Sequence, residues 1–427
     1  MRVSLIKPQI YIVFIILFLI TEIIVPQKRK KNIATPLKQM PVYIESHIIP
    51  NGNKFRCVLT YKIKFGNLFF IKAEKKFVAE YSFSFEVFQK EKFVKRIFSN
   101  KKVTTDKYNN TLNNNAYSEG IVSFDITEGK YLIKPVILLK NTDIEAKLLP
   151  FTISVDSTNI YQPYFIKNKI PLCKEGKFVL ENLQNSIPFT EYKVNMLIPL
   201  YNNNKAQNIK VLFIQDNRII IEQKEFKHEI LNTEPHICGN EIILSKFNNK
   251  SKTKFIKIES INSKLYEGNV NIVIEINEKK FSFPVSVIWD NKPITLSNTE
   301  TATEYLEILG LSDVADDILN FPEDKRYNAL FNYWKKFDDD TTTVFNPALE
   351  EFYTRIDYVI THFNSVGKHD GIETDRGKMY VIYGKPDNVE RKYSNVYNIM
   401  EIWEYKSIDK KIYFSDKTGT GNFKRIK

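Results

Sequence analysis

Phe77, Ala79, Tyr81, Phe83, Phe85 and Val87 occupy every second position of one unbroken stretch. Such a chain can bury that face only as a β-strand, because a helix would scatter the same side chains around its circumference. Similar runs recur from about residue 40 to residue 156, separated by Asn and Gly clusters such as 108–115, which holds five Asn. Short strands broken by turn signals predict an antiparallel β-sandwich of immunoglobulin-like type. Within it, residues 124–133 read as a strand, a tight turn at Glu128-Gly129, and the next strand. A second β-rich block, also expected to be a sandwich, runs from 160 to 291. Its clearest runs are 209–214, 218–222, 269–276 and 281–289, the last two forming a hairpin about Asn277-Glu278-Lys279.

Past Pro293 the hydrophobic period changes from two to that of a helix. Residues 301–309 end at Gly310, Ser312 precedes 313–320, and Pro322 opens a helix reaching about residue 337. Asn346-Pro347 opens another, with Leu349, Phe352, Tyr353, Ile356, Ile360 and Phe363 on one face. Strands are expected again at 379–383, 400–405 and 411–415. The predicted fold is therefore mainly β: two sandwiches, then an α+β domain over 299–427 with helices first and a small antiparallel sheet last.

Charge narrows the partners. The chain has 62 Lys+Arg against 50 Asp+Glu, a net +12, yet only 10 of the 62 are Arg. Nucleic-acid readers favour Arg for bidentate and stacked contacts. Lys, Ile, Asn, Phe and Tyr all have AT-rich codons, so genome composition accounts for the lysines and no nucleic-acid partner is expected. Residues 299–427 carry −5 and residues 1–298 carry +17, consistent with separate units. Three cysteines exclude a disulfide scaffold; Cys57, Cys173 and Cys238 are either small buried hydrophobes or, in an exported chain, one bridge and one free thiol.

Arg2 and Lys7 precede an apolar run over 10–20, and Lys28-Arg29-Lys30-Lys31 follows it. Residues 1–31 thus read as a signal peptide or membrane anchor with a basic flank, giving contact with a membrane. The flank pulls the other way, since positive charge keeps the adjoining chain cytoplasmic. The reading adopted is an anchored or periplasmic envelope protein with its body outside the cytoplasm. A cytoplasm-facing body and a plain buried helix are the alternatives.

Candidate sites cluster near the carboxyl end. Thr374-Asp375-Arg376-Gly377, at a loop entering a strand, offers an acid and a guanidinium for an anion or a hydrolysed substrate. The plainer reading is a turn in which Asp375 accepts backbone N–H bonds, Arg376 pairs with a carboxylate and Gly377 takes positive φ. His362 and His369, beside Asp370, with Glu373 or Asp375 to complete a set, are weak metal ligands because their spacing dictates no geometry. His236-Ile237-Cys238 offers two ligands and no third. Gly384-Lys385-Pro386-Asp387 lacks the order of a phosphate cradle and reads as a reverse turn. The run from Asp338 to Thr343 lacks EF-hand spacing and reads as a solvated acidic loop. Trp334 continues the helical core pattern of Leu330 and Phe331. No nucleophile–base or paired-carboxylate set emerges, and neither metal nor cofactor is expected.

The ordered combination of motifs is more specific than any single site. Tyr333-Trp334-Lys335-Lys336-Phe337-Asp338, the helix carrying Glu350-Glu351-Phe352-Tyr353, then Gly371-Ile372-Glu373-Thr374-Asp375-Arg376-Gly377 and Gly384-Lys385-Pro386-Asp387, then Glu401-Ile402-Trp403 and Phe414-Ser415-Asp416, follow one another over 320–425. This stretch resembles the GWxTD domain, with Ile372 where the signature has Trp. The matching family positions are Trp334, Gly371, Thr374, Asp375, Arg376, Gly377, Gly384, Pro386, Asp387 and Trp403. The resemblance implies a bacterial envelope-associated protein with β-rich domains ahead of the module, and it implies no particular activity. The expected role is a module that binds other envelope or secreted proteins. The rival is an envelope enzyme, hydrolase-like, with its site around Thr374-Asp375-Arg376.

Overall fold

The computed structural model describes residues 42–426 except 114, 157–159, 201–207, 233, 246–251, 365–369 and 395–397. The apolar N-terminal run and His369 lie outside the described residues. Among the described residues no helix is long and apolar enough to cross a membrane.

The first block contains β1 (Val42–Asn51), β2 (Lys54–Lys64), β3 (Ile71–Ala73), β4 (Lys76–Gln89), β5 (Lys92–Thr105), β6 (Tyr117–Ile126), β7 (Gly129–Leu139), β8 (Glu145–Lys147) and β9 (Phe151–Val155). One antiparallel sheet runs β1-β2-β6, and a second is built around β4 and β7, with β5 on the outer edge of β4. The two sheets share one core. Cys57, Leu59, Tyr61 and Ile63 from β2 meet Tyr81, Phe83 and Phe85 from β4, with the Tyr61 and Phe83 rings stacked 4.6 Å apart. The alternation over 77–87 faces inward as the sequence requires.

Residues 124–133 are strand, turn and strand as the sequence predicts, but the two strands do not pair with each other. β6 pairs with β2 while β7 pairs with β4 and β9, so the turn at Glu128-Gly129 carries the chain from one sheet to the other. Period-two alternation specifies which side chains face the core, and both arrangements satisfy it. True two-residue hairpins join β4 to β5 through Lys90-Glu91 and, in the second block, close at Asp216-Asn217 and Asn277-Glu278. All six residues take positive φ, the twist that suits adjoining strands.

The second block contains β10 (Tyr164–Lys167), β11 (Gly176–Leu180), β12 (Ile187–Pro188), β13 (Val194–Leu200), β14 (Ile209–Gln215), β15 (Arg218–Gln223), β16 (Lys227–Asn232), β17 (Pro235–Cys238), β18 (Glu241–Ser245), β19 (Lys252–Ile258), β20 (Gly268–Ile276) and β21 (Lys279–Ile288). They form a seven-stranded sheet, β16-β19-β13-β10-β11-β18-β17, and a five-stranded sheet, β12-β21-β20-β14-β15, in which only the β12–β21 pairing is parallel. All seven residues of β13 are buried. Met196 and Ile198 enter the core shared with the five-stranded sheet, while Leu197 enters a smaller core with Tyr164, Leu244 and Phe255 on the opposite face. Ile121 of β6 packs against that smaller core, so the seven-stranded sheet lies between the first block and the rest of the molecule.

The C-terminal part opens with α1 (Thr299–Glu304), α2 (Ser312–Leu319), α3 (Glu323–Trp334), α4 (Pro347–His362) and α5 (Asp375–Tyr383). It closes with the antiparallel sheet β22 (Asn388–Ser394), β23 (Asn398–Tyr405), β24 (Lys410–Asp416) and β25 (Lys424–Ile426). Asn346 caps α4, its side chain accepting from Leu349 N at 2.9 Å. Gly310 takes φ 74° at the end of the preceding helical segment. The strand expected at 379–383 is instead the second half of α5, because Thr374 starts a helix five residues earlier than the apolar run that looked like a strand. The helices bury their apolar faces in the core of the second block: Phe189 and Trp289 meet Phe331 and Phe345.

Cys173 and Cys238 form a disulfide, with Cα atoms 6.1 Å apart, and Cys57 is an unbonded buried thiol. The bridge spans 65 residues of sequence, and closing such a loop is worth about 4 kcal/mol against the unfolded chain. Calorimetry with and without reductant should therefore show a clearly lower melting temperature in the reduced protein. An unchanged melting temperature would mean that the bond does not stabilise the fold.

Candidate functional site

The signature residues are built into the joint between α4, α5 and the last sheet. Thr374 caps α5: its hydroxyl accepts from Gly377 N at 3.0 Å and donates to Gly371 O at 2.6 Å. Gly377 lies inside the helix and not at positive φ. It is glycine because a Cβ there would lie 2.1 Å from Gly371 O, and a Cβ on Gly371 would lie 2.0 Å from Val359 O. Three backbones therefore touch directly. Ile372, at the family's Trp position, is buried in the same apolar core as α4.

Asp375 accepts from Arg425 N at 2.8 Å, which holds β25 against α5. Arg376 crosses to the sheet, where its guanidinium lies 3.4 Å from a Glu401 carboxylate oxygen and 4.0 Å over the Phe423 ring. Burial lowers the pKa of Arg376, and the Glu401 charge opposes that shift. Glu401 is almost fully buried and also receives Arg391 Nε at 2.7 Å and Trp403 Nε1 at 2.7 Å. Charge-assisted bonds of this kind are strong where water is excluded. Gly384 takes φ 77° at the end of α5, where Arg355 donates to Val381 O (3.1 Å) and Ile382 O (3.3 Å). In the turn after Pro386, Asp387 accepts from Lys406 N at 2.7 Å.

The other candidates stay apart from a reactive set. His362 Nδ1 sits 2.8 Å from Tyr358 O, its ring stacked on Tyr358. Asp370 accepts from Ile372 N and from the Tyr305 hydroxyl. Cys238 is in the disulfide, and Asp338 and Asp340 bind backbone within their own loop. Among the described residues no three His, Cys, Asp or Glu are arranged to hold a metal ion. Two clefts, of about 640 Å³ between α2 and α3 and about 680 Å³ on the outer face of the β4 sheet, contain no signature residue.

A second cluster, on strands without any sequence motif, lies where the two β-rich blocks meet. The face of β1-β2-β6 turned away from its own core carries Glu45, His47, Thr60, Lys62 and Glu119, and all five are buried by the second block. Glu45 accepts from Leu183 N at 2.6 Å and Asn185 N at 2.9 Å. Asn182 is fully buried; it accepts from the Thr60 hydroxyl at 2.8 Å and donates to Tyr61 O at 3.1 Å and to Glu119 at 3.2 Å. Lys62 donates to Glu181 O at 3.4 Å and stands 4.1 Å over the Tyr117 ring. His47 stacks on Tyr164 at 4.6 Å, with Nε2 3.4 Å from Glu45. At the rim Tyr43, Tyr117 and Lys64 all reach Asp290; burial would raise the pKa of Asp290, but these donors hold it below the usual carboxylate range. In sequence these residues are the polar half of an alternating strand, indistinguishable from a solvated face.

Replacing Gly377 by Ala should cost about 3 kcal/mol or more, because backbone atoms rather than a flexible side chain must move. Thr374→Ala should cost about 1 kcal/mol and Thr374→Ser little, as expected for a lost and a retained cap. Urea midpoints measure all three, and a tolerated Gly377→Ala would refute the close-packed joint.

No curated protein matches the chain. Residues 287–425 match the family model of the GWxTD domain, beginning on β21 just before Trp289 and ending in β25. The carboxyl-terminal third of this chain, helices and final sheet together, carries a GWxTD domain.

Proposed function

We propose that this protein is a bacterial envelope protein, exported or held at the membrane by its N-terminal segment, that binds and helps assemble other envelope or secreted proteins. On this reading the two N-terminal units are immunoglobulin-like sandwiches that display edges and loops, and the GWxTD domain closes the chain. The observation that carries it is the use made of the signature: Thr374, Asp375, Arg376, Gly371 and Gly377 join α4, α5 and the last sheet. Residues so engaged supply a rigid body for recognition and no poised nucleophile or base. The Cys173–Cys238 bridge supports an oxidising compartment. β5 supports a binding role, since it is a 14-residue edge strand with Phe93 and Phe98 more than half exposed.

Mild crosslinking and affinity purification of the native protein from its own membranes test this reading, with the recovered chain's N-terminus sequenced. The expected result is one stoichiometric protein partner, lost when exposed Phe98 is replaced by Asp with stability unchanged. Recovery of the chain alone would overturn the proposal. A start beyond residue 25 means cleavage on export, and a start at Met1 means an anchor. Asp375→Asn separates the hydrolase rival: it should weaken the grip on β25 slightly and leave partner capture intact.

A further inference from the structure

We propose that the contact between the two β-rich blocks is a proton-operated latch, tightened when Glu119 takes up a proton and loosened when it gives one up. Glu119 projects from β6 of the first block, yet its hydrogen-bond donors, the Asn182 amide and the Ile242 backbone N–H, belong to the second block. Both donors are neutral. Among the described residues Glu119 takes part in no ion pair within 4 Å: Lys62, its cross-strand neighbour, is turned to Glu181 O and the Tyr117 ring, and Lys64 pairs with Asp290. A carboxylate buried to 5% exposure without a contacting cation is costly when charged. The cost exists only while the blocks are closed, since parting them returns Glu119 to water.

The groups around it act in the same direction or at longer range. Lys62 from β2, Lys167 from β10 and Lys101 from β5 stabilise the Glu119 charge electrostatically, whereas the Tyr81 hydroxyl faces it from β4. From the second block comes Glu181, 1% exposed, with one oxygen held by Tyr192 and the other without a donor among the described residues. From β1 comes Glu45, whose partner across the strand face is His47. Asp290 lies farther out, neutralised by Lys64. Burial raises the pKa of Glu119 to about 6, against 4.5 for a free Glu, with Lys167 and Lys62 opposing; burial also raises Glu181. Burial lowers Lys62, with Lys167 acting the same way.

The sign follows from the raised carboxyl. Below about pH 4.5 Glu119 is protonated whether the blocks are open or closed, and the latch has its full strength. As pH rises through about 6, the open state gains by ionising earlier, so closure weakens by up to about 30-fold.

Hydrogen exchange on the full chain reads this directly. The N–H groups of Leu183 and Asn185, which bind Glu45 across the contact, report opening of the latch, and those of β13 paired with β19 report the second block itself. Between pH 5 and pH 7.5, corrected for intrinsic exchange, protection of Leu183 and Asn185 should fall about 8-fold while β13 stays constant. Glu119→Gln, which mimics the protonated acid, should hold both amides protected at both pH values. Equal protection in the wild type at both pH values overturns the latch, as does a Glu119→Gln protein that keeps the wild-type pH dependence. A parallel fall at β13 overturns it too, because the change is then global. The wild-type profile decides even where the variant does not fold.

Discussion

Two sheets of this protein, β1-β2-β6 and the seven-stranded sheet, are covered on both faces, and much of the remaining structure answers that constraint. A sheet with one wet face can leave its polar side chains in water. A sheet covered twice must give every polar group on the second face a partner, since an unsatisfied buried donor or acceptor costs about 1–3 kcal/mol. Where the second face is apolar, as with Leu197 and Phe255, packing suffices. On β1-β2-β6 it carries Glu45, Thr60, Lys62 and Glu119, and Asn182 with its neighbours supplies the partners. The junction of the two blocks is thus chemically specific and not merely greasy.

The GWxTD domain solves a different problem by similar means. Its helices share a core with the second block, while its last sheet has a separate small core of Trp403, Tyr405, Ile412, Phe414 and Phe423. Something must join the two cores, and the signature does so. Glycines let backbones meet, Thr374 begins the helix at that meeting point, and Arg376 reaches across to the buried Glu401. The motif is therefore sharply defined by packing and capping.

Much of the local structure was legible in particular residues. Asn346-Pro347 announced α4, Gly310 announced a helix end, and the Phe77–Val87 alternation announced an inward strand face. What the local pattern left open shares one cause. At Glu128-Gly129 the local pattern fitted both a hairpin and a crossing between sheets, and distant pairing to β2 and β4 settled it. At 379–383 five apolar or aromatic-rich residues suited either strand or helix, and the cap at Thr374 settled it.

Hydrophobic period and turn chemistry act between near neighbours, so the sequence by itself determined most element types, though not that of 379–383, together with the inward faces and the order of a β-rich front and a helical rear. It also determined the GWxTD signature, because that pattern is local and ordered. Which strands would pair, which cysteines would bridge, and that a row of polar strand residues would lie under a second block depended on contacts between residues up to 247 positions apart, as between Tyr43 and Asp290. Such contacts leave no periodic trace in a single chain, because an alternating polar residue looks the same whether water or another sheet covers it. Only the tertiary structure could decide them.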